Sequence, residues 1–282
     1  MSLLIYIIFL GLVQGFTEFL PISSSGHLAI LENIPYFSEC TNLLENKISL
    51  LAFNIVLHMG TLLAVIVYWF KDLVAIARQF FNDIKLRNFK GEGVKTITVI
   101  FFALLPVLII PFVKDRVESF VHNIKIVSIF FIANGFILIA SNIWYKKKSN
   151  QQSKKISEMN WKNGLFIGVF QAIAVLPGIS RSGSTISAGL LQNIGGVSSV
   201  KFSFLISIPV LAAAALLEGW EVRNSLQFSK DSIPLLFAGA FAAFIAGIIS
   251  SRLLVWIGKT VNFLPFGIYT ILLGLVFLGI NL

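Results

Sequence analysis

The sequence has few charged residues and a single cysteine. Of its 282 residues, 12% are Asp, Glu, Lys or Arg and 56% are hydrophobic. Soluble domains carry about 25% charged residues, so the composition excludes an ordinary soluble protein and indicates a membrane protein. The lone Cys40 excludes an intramolecular disulfide and cannot form a thiolate metal site alone. The apolar N-terminus has no basic residue before Lys47, and it therefore lacks the basic region of a cleavable signal peptide.

Long runs without charge recur along the chain. Each is long enough, or nearly so, to cross a hydrocarbon core of about 30 Å as a helix that rises about 1.5 Å per residue. Backbone polar groups meet no water there, so we expect helices and an all-α polytopic membrane fold. The uncharged runs are 1–17, 48–70, 96–113, 126–145, 163–180, 202–217, 232–251 and 260–282.

The charges between these runs predict the topology. Cytoplasmic loops of membrane proteins collect Lys and Arg. The loops near 71–95 and 146–162 are basic and are expected inside, whereas 32–47 and 218–231 are expected outside. This rule accounts for the net charge of +9 without a nucleic-acid partner. His122 falls in an outside loop and is expected to be solvated.

Two apolar segments do not fit as simple spans. Residues 3–33 would form a straight helix of about 46 Å, too long for the core. This segment is interrupted at Pro21, and the segment 163–194 is interrupted at Pro177-Gly178. Because proline removes a helical hydrogen bond and glycine loosens the backbone, we predict two re-entrant hairpins with turns near the bilayer midplane. The predicted return helices cover about 28–34 and 186–194.

The two interrupted segments match each other as an internal repeat. Gln14 to His27 can be laid over Gln171 to Gly183, and three predicted spans follow each copy. An odd number of spans between the copies gives them opposite orientations, and such paired broken helices point to a binding site at the midplane. The predicted spans are 49–70, 96–113, 126–145, 202–219, 233–251 and 262–281. We predict a single membrane domain over 1–282, with repeat one at 1–145, a basic cytoplasmic loop at 146–160 and repeat two at 161–282.

Apart from His27, Glu18 is the only acid or base in 1–31, and Arg181 is the only charged residue in 163–200; each lies close to a predicted break. Such residues cost about 2.5–3.5 kcal/mol each near a bilayer centre, and they are therefore functional hypotheses by default. A purely structural Glu–Arg pair is the alternative. Gln14 lies one helical turn before Glu18, so the two project from one face and could hold a hard cation such as Mg²⁺ or Ca²⁺ or position a water.

Hydroxyl groups cluster where each return helix should begin. Ser23 to Gly26 and Ser180 to Ser184 place backbone N–H groups and serine donors at a helix N-terminus, which binds phosphate well. Simple N-capping is the competing interpretation, although one serine in each turn would satisfy it. The planar fork of Arg181 matches two phosphate oxygens. His27 is a candidate general base or acid.

The attacking group stays open at this stage, since Ser24, Ser23 or His27 could each attack phosphorus. No cluster of candidate site residues accompanies His58 in its span, and we expect this histidine to contribute to packing or to support the site indirectly.

Gln14 to Glu18 followed by Pro21-Ile-Ser-Ser-Ser-Gly-His27, together with Pro177-Gly-Ile-Ser-Arg-Ser-Gly-Ser-Thr185, resembles the two signature regions of the bacterial undecaprenyl-pyrophosphate phosphatases. The resemblance covers essentially the whole chain. It implies a metal-dependent hydrolase with inverted repeats that recycles the lipid carrier of peptidoglycan synthesis and confers bacitracin resistance. It also implies a multi-pass protein of the bacterial inner membrane whose site opens to the periplasm or outer face.

Carried over by position, the resemblance assigns each motif residue a role. Glu18, Ser24, His27 and Arg181 would be catalytic, and Gln14 and Glu18 would bind the divalent cation, Mg²⁺ or Ca²⁺. The expected substrate-binding residues are Gln14, Ser23, Ser25, Gly178, Ser180, Ser182 and Thr185. The expected partners are an isoprenoid diphosphate lipid and membrane lipid, with no nucleic acid, and a homodimer is one oligomeric state left open. The amide at Gln14 puts a second metal carboxylate in doubt.

Two other classes compete with this interpretation. The phosphatidic-acid type of phosphatase also needs a Lys-containing Arg-Pro motif and a downstream His with an Asp, and this sequence has three His and no Arg-Pro. A secondary transporter or lipid flippase would share the inverted repeats and broken helices. In that case Glu18 would bind a coupling ion and Arg181 an anionic head group. Serine and histidine beside an arginine favour chemistry over transport.

Overall fold

The structure, a computed structural model, describes residues 2–45, 49–121, 123–148, 152–223 and 232–280. Apart from one isolated bridge between Lys154 and Ile194, these residues contain helices and connecting turns, which confirms the all-α prediction. The helices are α1 Leu3–Phe19, α2 Ser24–Asn33, α3 Ser38–Glu45, α4 Leu50–Lys85, α5 Glu92–Leu104, α6 Ile110–Val121, α7 Ile124–Lys147, α8 Trp161–Ile173, α9 Arg181–Leu191, α10 Gly196–Val222, α11 Ser232–Thr260 and α12 Leu264–Gly279. Predictions for His122, Lys47 and most of the 218–231 loop fall outside the described residues.

Within the described part of the chain, five stretches of helix are long and apolar enough to cross a membrane, so the chain is a multi-pass membrane protein. They correspond to five of the six predicted spans, whereas the sixth, predicted at 262–281, is the shorter apolar helix α12. The five stretches are Leu50–Lys85, Glu92–Val121, Ile124–Lys147, Gly196–Trp220 and Ser232–Thr260.

The structure shortens one predicted loop and shows an irregularity within one predicted span. The basic region near 71–95 is mostly helix, because α4 continues to Lys85 and α5 already begins at Glu92. The predicted span 96–113 is not one regular helix. It changes to a 3₁₀ turn at Leu105–Ile109 between α5 and α6, where Pro106 and Pro111 remove helical hydrogen bonds.

Both interrupted segments are broken helices, as predicted. The first consists of α1 and α2 on either side of Pro21, and the second of α8 and α9 on either side of Pro177-Gly178. The return helices begin earlier than the predicted 28 and 186, because Ser23 and Ser180 cap them at their N-termini.

The helices of the two halves interlock. Helix α1 packs along α11, and α8 packs along α5, which is the exchange of partners that an inverted repeat would produce. Gly11 and Gly15 allow the first contact, since a side chain at either would collide with the α11 backbone. Helix α7 packs along α12 and also contacts α2 and α9. The inverted orientation and the division at 145 and 161 remain predictions.

Candidate active site

The first turn lies between α1 and α2. Helix α1 ends at Phe19, and Pro21 cannot donate a helical hydrogen bond. Ser23 follows with φ 68°, a left-handed conformation that is uncommon for residues other than glycine. The Ser23 Oγ accepts the N–H of Gly26 at 3.4 Å and so caps α2. The sharp turn and this cap together set the direction in which α2 returns.

The second turn lies between α8 and α9 and touches the first. Gly178 has φ +101°, which a residue with a side chain would rarely adopt. The Gly178 N–H donates to Ser23 Oγ at 3.2 Å, so the two turns are in direct contact. Ser180 caps α9, because its Oγ accepts the N–H of Gly183 at 3.1 Å.

A buried ion pair joins the two turns. Glu18 Oε1 lies 2.5 Å from Arg181 Nη2, and their side chains are 6% and 15% exposed. The other oxygen, Oε2, accepts hydrogen bonds from Ser24 Oγ at 2.6 Å and from Gln14 Nε2 at 3.1 Å. Arg181 Nη1 also donates to the carbonyl oxygen of Ser207 on α10 at 3.3 Å. Four residues that the sequence predicted for the site, Gln14, Glu18, Ser24 and Arg181, are thus brought together.

A cavity of about 250 Å³ opens beside this ion pair. Its polar end contains Glu18, Arg181 and four serines, and much of the remaining wall is apolar side chain from α10 and the second turn. The four serines are Ser23, Ser24, Ser25 and Ser180. Since one guanidinium and several hydroxyl donors meet the Glu18 carboxylate at the polar end, that end suits an anionic group, and the apolar wall suits an apolar chain attached to it.

His58 also lines the cavity, although the sequence indicated only packing or indirect support. Its Nδ1 lies 2.9 Å from the carbonyl oxygen of Asn54, which accepts a hydrogen bond from it, and its Nε2 lies 3.8 Å from Glu18 Oε2. The histidine therefore presents Nε2 to the site. Gln171 and Glu218 are further polar lining residues that the sequence did not assign to the site. The alignment of Gln171 with Gln14 in the internal repeat was the one sequence feature that could have indicated Gln171 as a site residue.

His27 lies outside this cavity. Its Nδ1 is 2.7 Å from the carbonyl oxygen of Ser23, and its Nε2 is 2.7 Å from the hydroxyl of Tyr269 on α12. The ring also stacks on Tyr269 and meets the edge of Phe131 on α7. Both ring nitrogens are thus engaged away from Glu18, and a catalytic role for His27 remains a prediction.

Three other predicted substrate-binding residues connect structural elements. Ser182 Oγ donates to the carbonyl oxygen of Leu20 at 3.1 Å, which ties α9 to the first turn. Thr185 Oγ1 donates to the carbonyl oxygen of Arg181 and lies 2.7 Å from Ser203 Oγ on α10. Gly178 contributes its N–H to Ser23. Ser182, Thr185 and Gly178 do not line the cavity, and their contact with substrate remains a prediction.

The predicted metal ligands, Gln14 and Glu18, are adjacent. Among the described residues, no group of three or more His, Cys, Asp or Glu side chains could hold a metal ion. The Oε1 of Gln14 is buried without a hydrogen-bond partner in the described part of the chain. Carboxylate and amide oxygens are ligands that hard cations prefer, and because Gln14 Nε2 faces Glu18 here, the Gln14 amide would have to turn over for its Oε1 and the carboxylate to share a cation.

Comparison with known proteins agrees with the resemblance seen in the motifs. The family model described as bacitracin resistance protein BacA matches residues 7–276. The undecaprenyl-diphosphatase of Chlorobium chlorochromatii (strain CaD3) is 34% identical, over 96% of this chain and 94% of its own. That of Alkaliphilus metalliredigens (strain QYMF) is 35% identical over 93% of both chains. The undecaprenyl-diphosphatase of Methanococcus aeolicus (strain ATCC BAA-1280 / DSM 17508 / OCM 812 / Nankai-3) is 32% identical over 98% of this chain and 97% of its own. The chain belongs to the bacitracin resistance protein BacA family.

Proposed function

We propose that this protein is a membrane-embedded phosphatase that hydrolyses undecaprenyl diphosphate to undecaprenyl phosphate and inorganic phosphate. The observation that carries the proposal is the cluster of Glu18, Ser24 and Arg181 at the contact between two broken helices, beside a cavity with a polar end and an apolar wall. The activity recycles the lipid carrier of peptidoglycan synthesis, and by consuming the diphosphate it confers bacitracin resistance.

The polar end of the cavity suits a diphosphate. Arg181 supplies a guanidinium, and α2 and α9 both begin at this place, so their N-terminal N–H groups and dipoles favour negative charge. Ser25 and Ser180 line the same end and offer further donors. In the reaction, Arg181 gives up part of its hydrogen bonding to Glu18 and donates to the phosphoryl oxygens instead. These hydrogen bonds stabilise the negative charge of the phosphoryl group most strongly in the transition state.

Ser24 is the nucleophile that the geometry favours. Its hydroxyl already donates to Glu18 at 2.6 Å, the arrangement of a nucleophile beside a general base. The Ser24 proton passes to Glu18, Oγ bonds to the terminal phosphorus, and the bond from that phosphorus to the bridging oxygen breaks, which releases undecaprenyl phosphate. Water then hydrolyses the serine phosphate. Ser23 is the weaker candidate, because its Oγ is occupied by the N–H groups of Gly26 and Gly178.

A divalent cation, Mg²⁺ or Ca²⁺, is part of the proposal. Gln14 Oε1 and the Glu18 carboxylate would hold it, and when bound it would neutralise charge on the diphosphate. The orphaned Gln14 oxygen supports this placement.

An apolar groove provides a place for the isoprenoid chain. The groove has a volume of about 260 Å³ and lies between α10 and the 3₁₀ turn that joins α5 to α6. It shares Ile110, Val210 and Ala214 with the wall of the polar cavity, so head group and chain can be bound together. We propose that the cavity opens to the outer face of the inner membrane, because Glu218, which lines it, stands at the start of the region 218–231 that the sequence predicts outside.

Phosphate release by the purified protein tests the proposal. Wild-type protein in detergent is incubated with farnesyl or undecaprenyl diphosphate, with Mg²⁺, Ca²⁺ or a chelator. We expect release with the cation and a large loss with the chelator. Binding of the lipid diphosphate without release would instead favour the transporter interpretation, and movement of the lipid across a vesicle membrane would then be measured.

A further inference from the structure

A single side chain on α7 bridges both turns of the site. Asn134 is fully buried, at 0% exposed. Its Oδ1 accepts the N–H of Ser180 at 3.0 Å, and its Nδ2 donates to the carbonyl oxygen of Pro21 at 3.1 Å. One amide therefore bonds to the backbone of the first turn and of the second turn at the same time.

The two residues that Asn134 bonds, Ser180 and Pro21, are close in the chain to the reacting groups. Ser180 directly precedes Arg181, and Pro21 lies between Glu18 and Ser24. A shift of either turn along α7 would therefore change the distance between the guanidinium and the serine hydroxyl. The fit around Asn134 is close, because a Cβ at Gly183 would lie 3.2 Å from its Oδ1 and 3.3 Å from Cβ of Pro21.

We propose that Asn134 is a positioning residue for the phosphatase reaction, which holds the turn of Arg181 in register with the turn of Glu18 and Ser24. The inference rests on the proposed function. Asn134 does not line the cavity, so it acts through the two turns and not on the substrate. Misplacement of reacting groups by about 1 Å can cost a hundredfold in rate.

The direction of the two hydrogen bonds makes the role specific to an amide. In Asn134→Leu the side chain keeps a similar size, but both hydrogen bonds are lost. In Asn134→Asp the acceptor for Ser180 remains, but a second oxygen replaces the donor and faces the carbonyl oxygen of Pro21, which is repulsive. Both variants should therefore loosen the register of the turns.

Asn142 offers a matched control on the same helix. It lies eight residues further along α7 and is 2% exposed. Its Oδ1 accepts the N–H of Phe263, the residue before α12, at 2.9 Å, so it is a similarly buried amide that bonds to backbone outside the site. Asn142→Leu measures what loss of a buried amide on α7 does to folding alone.

The experiment compares kcat, KM and melting temperature for wild type, Asn134→Leu, Asn134→Asp and Asn142→Leu with farnesyl diphosphate. We expect the Asn134 variants to lose about a hundredfold in kcat with KM changed by less than about threefold, and Asn142→Leu to keep kcat within about threefold at a similar melting temperature. If Asn134→Leu does not fold, Asn134→Asp carries the comparison. If the loss of kcat is merely proportional to the drop in melting temperature at both Asn134 and Asn142, the proposal is overturned.

A double-mutant cycle measures the coupling between Asn134 and Arg181 in kcat, which a purely structural role of Asn134 would not produce. If Asn134 acts by placing Arg181, then Asn134→Leu should cost less than about tenfold in an Arg181→Lys background, where the guanidinium fork is already lost. Additive losses would contradict the proposal. Wild-type protein that releases no phosphate would instead overturn the proposed function itself, an outcome separate from any difference between Asn134 and Asn142.

Discussion

Neutralising one partner of the Glu18–Arg181 pair leaves the other charge buried. The two side chains are 6% and 15% exposed. Removal of one member of a buried pair costs about 3–5 kcal/mol, whereas an exposed pair contributes about 0–1 kcal/mol. We expect Glu18→Gln and Arg181→Gln each to lower the free energy of unfolding by about 3 kcal/mol, the low end of that range, because the adjacent cavity admits water to the remaining charge.

The double variant Glu18→Gln/Arg181→Gln contains no unpaired charge, and we expect it to be more stable than the sum of the single losses by at least about 2 kcal/mol. Unfolding of detergent-solubilised protein measures stability, and phosphate release measures activity in the same samples. All three variants should be inactive. Strictly additive destabilisation would refute the energetic coupling of the pair, and turnover by the double variant would refute its role in the reaction.

Four further variants separate the roles of individual residues. His58→Leu should lower kcat by about ten- to a hundredfold, since Nε2 of His58 faces Glu18, and a normal pH–rate profile at normal kcat would contradict this. Ala213→Phe fills the apolar groove at a residue that does not line the polar cavity, so it should reduce turnover of undecaprenyl diphosphate about tenfold more than that of farnesyl diphosphate, and equal losses would speak against the groove. Ser24→Ala should lose at least about a hundredfold in phosphate release, whereas Ser182→Ala, whose hydroxyl bonds Leu20 and Ser180 and does not line the cavity, should lose less than about tenfold; the reverse order would reject Ser24 as nucleophile.

Local chemistry was enough to predict much of the fold and the centre of the site. Proline and glycine within apolar segments predicted both broken helices, and an acid and a base isolated in those segments predicted where the chemistry lies. The pairing of Gln14 with Glu18 followed from helical spacing. These inferences need only the immediate neighbours of each residue.

The missed features depend on how distant helices meet. His58 and Asn134 reach the site because α4 and α7 pack beside the turns, and nothing within either span predicts that contact. The direction of His27 is set by Tyr269, 242 residues later in the chain. Helix α4 continues past its apolar part to Lys85, since charged residues form a helix in water as readily as apolar ones do in lipid.

The most direct test of the account compares two ion pairs in one assay. Lys201 and Asp72 form a second pair away from the cavity, with side chains 30% and 36% exposed. Phosphate release from undecaprenyl diphosphate is measured for wild type, Glu18→Ala, Arg181→Ala and Asp72→Asn. The account predicts that the two site variants lose at least about a thousandfold while Asp72→Asn keeps at least about half of the wild-type rate. Near-normal turnover by Glu18→Ala or Arg181→Ala would contradict it, because the reaction would then not take place where the two broken helices meet.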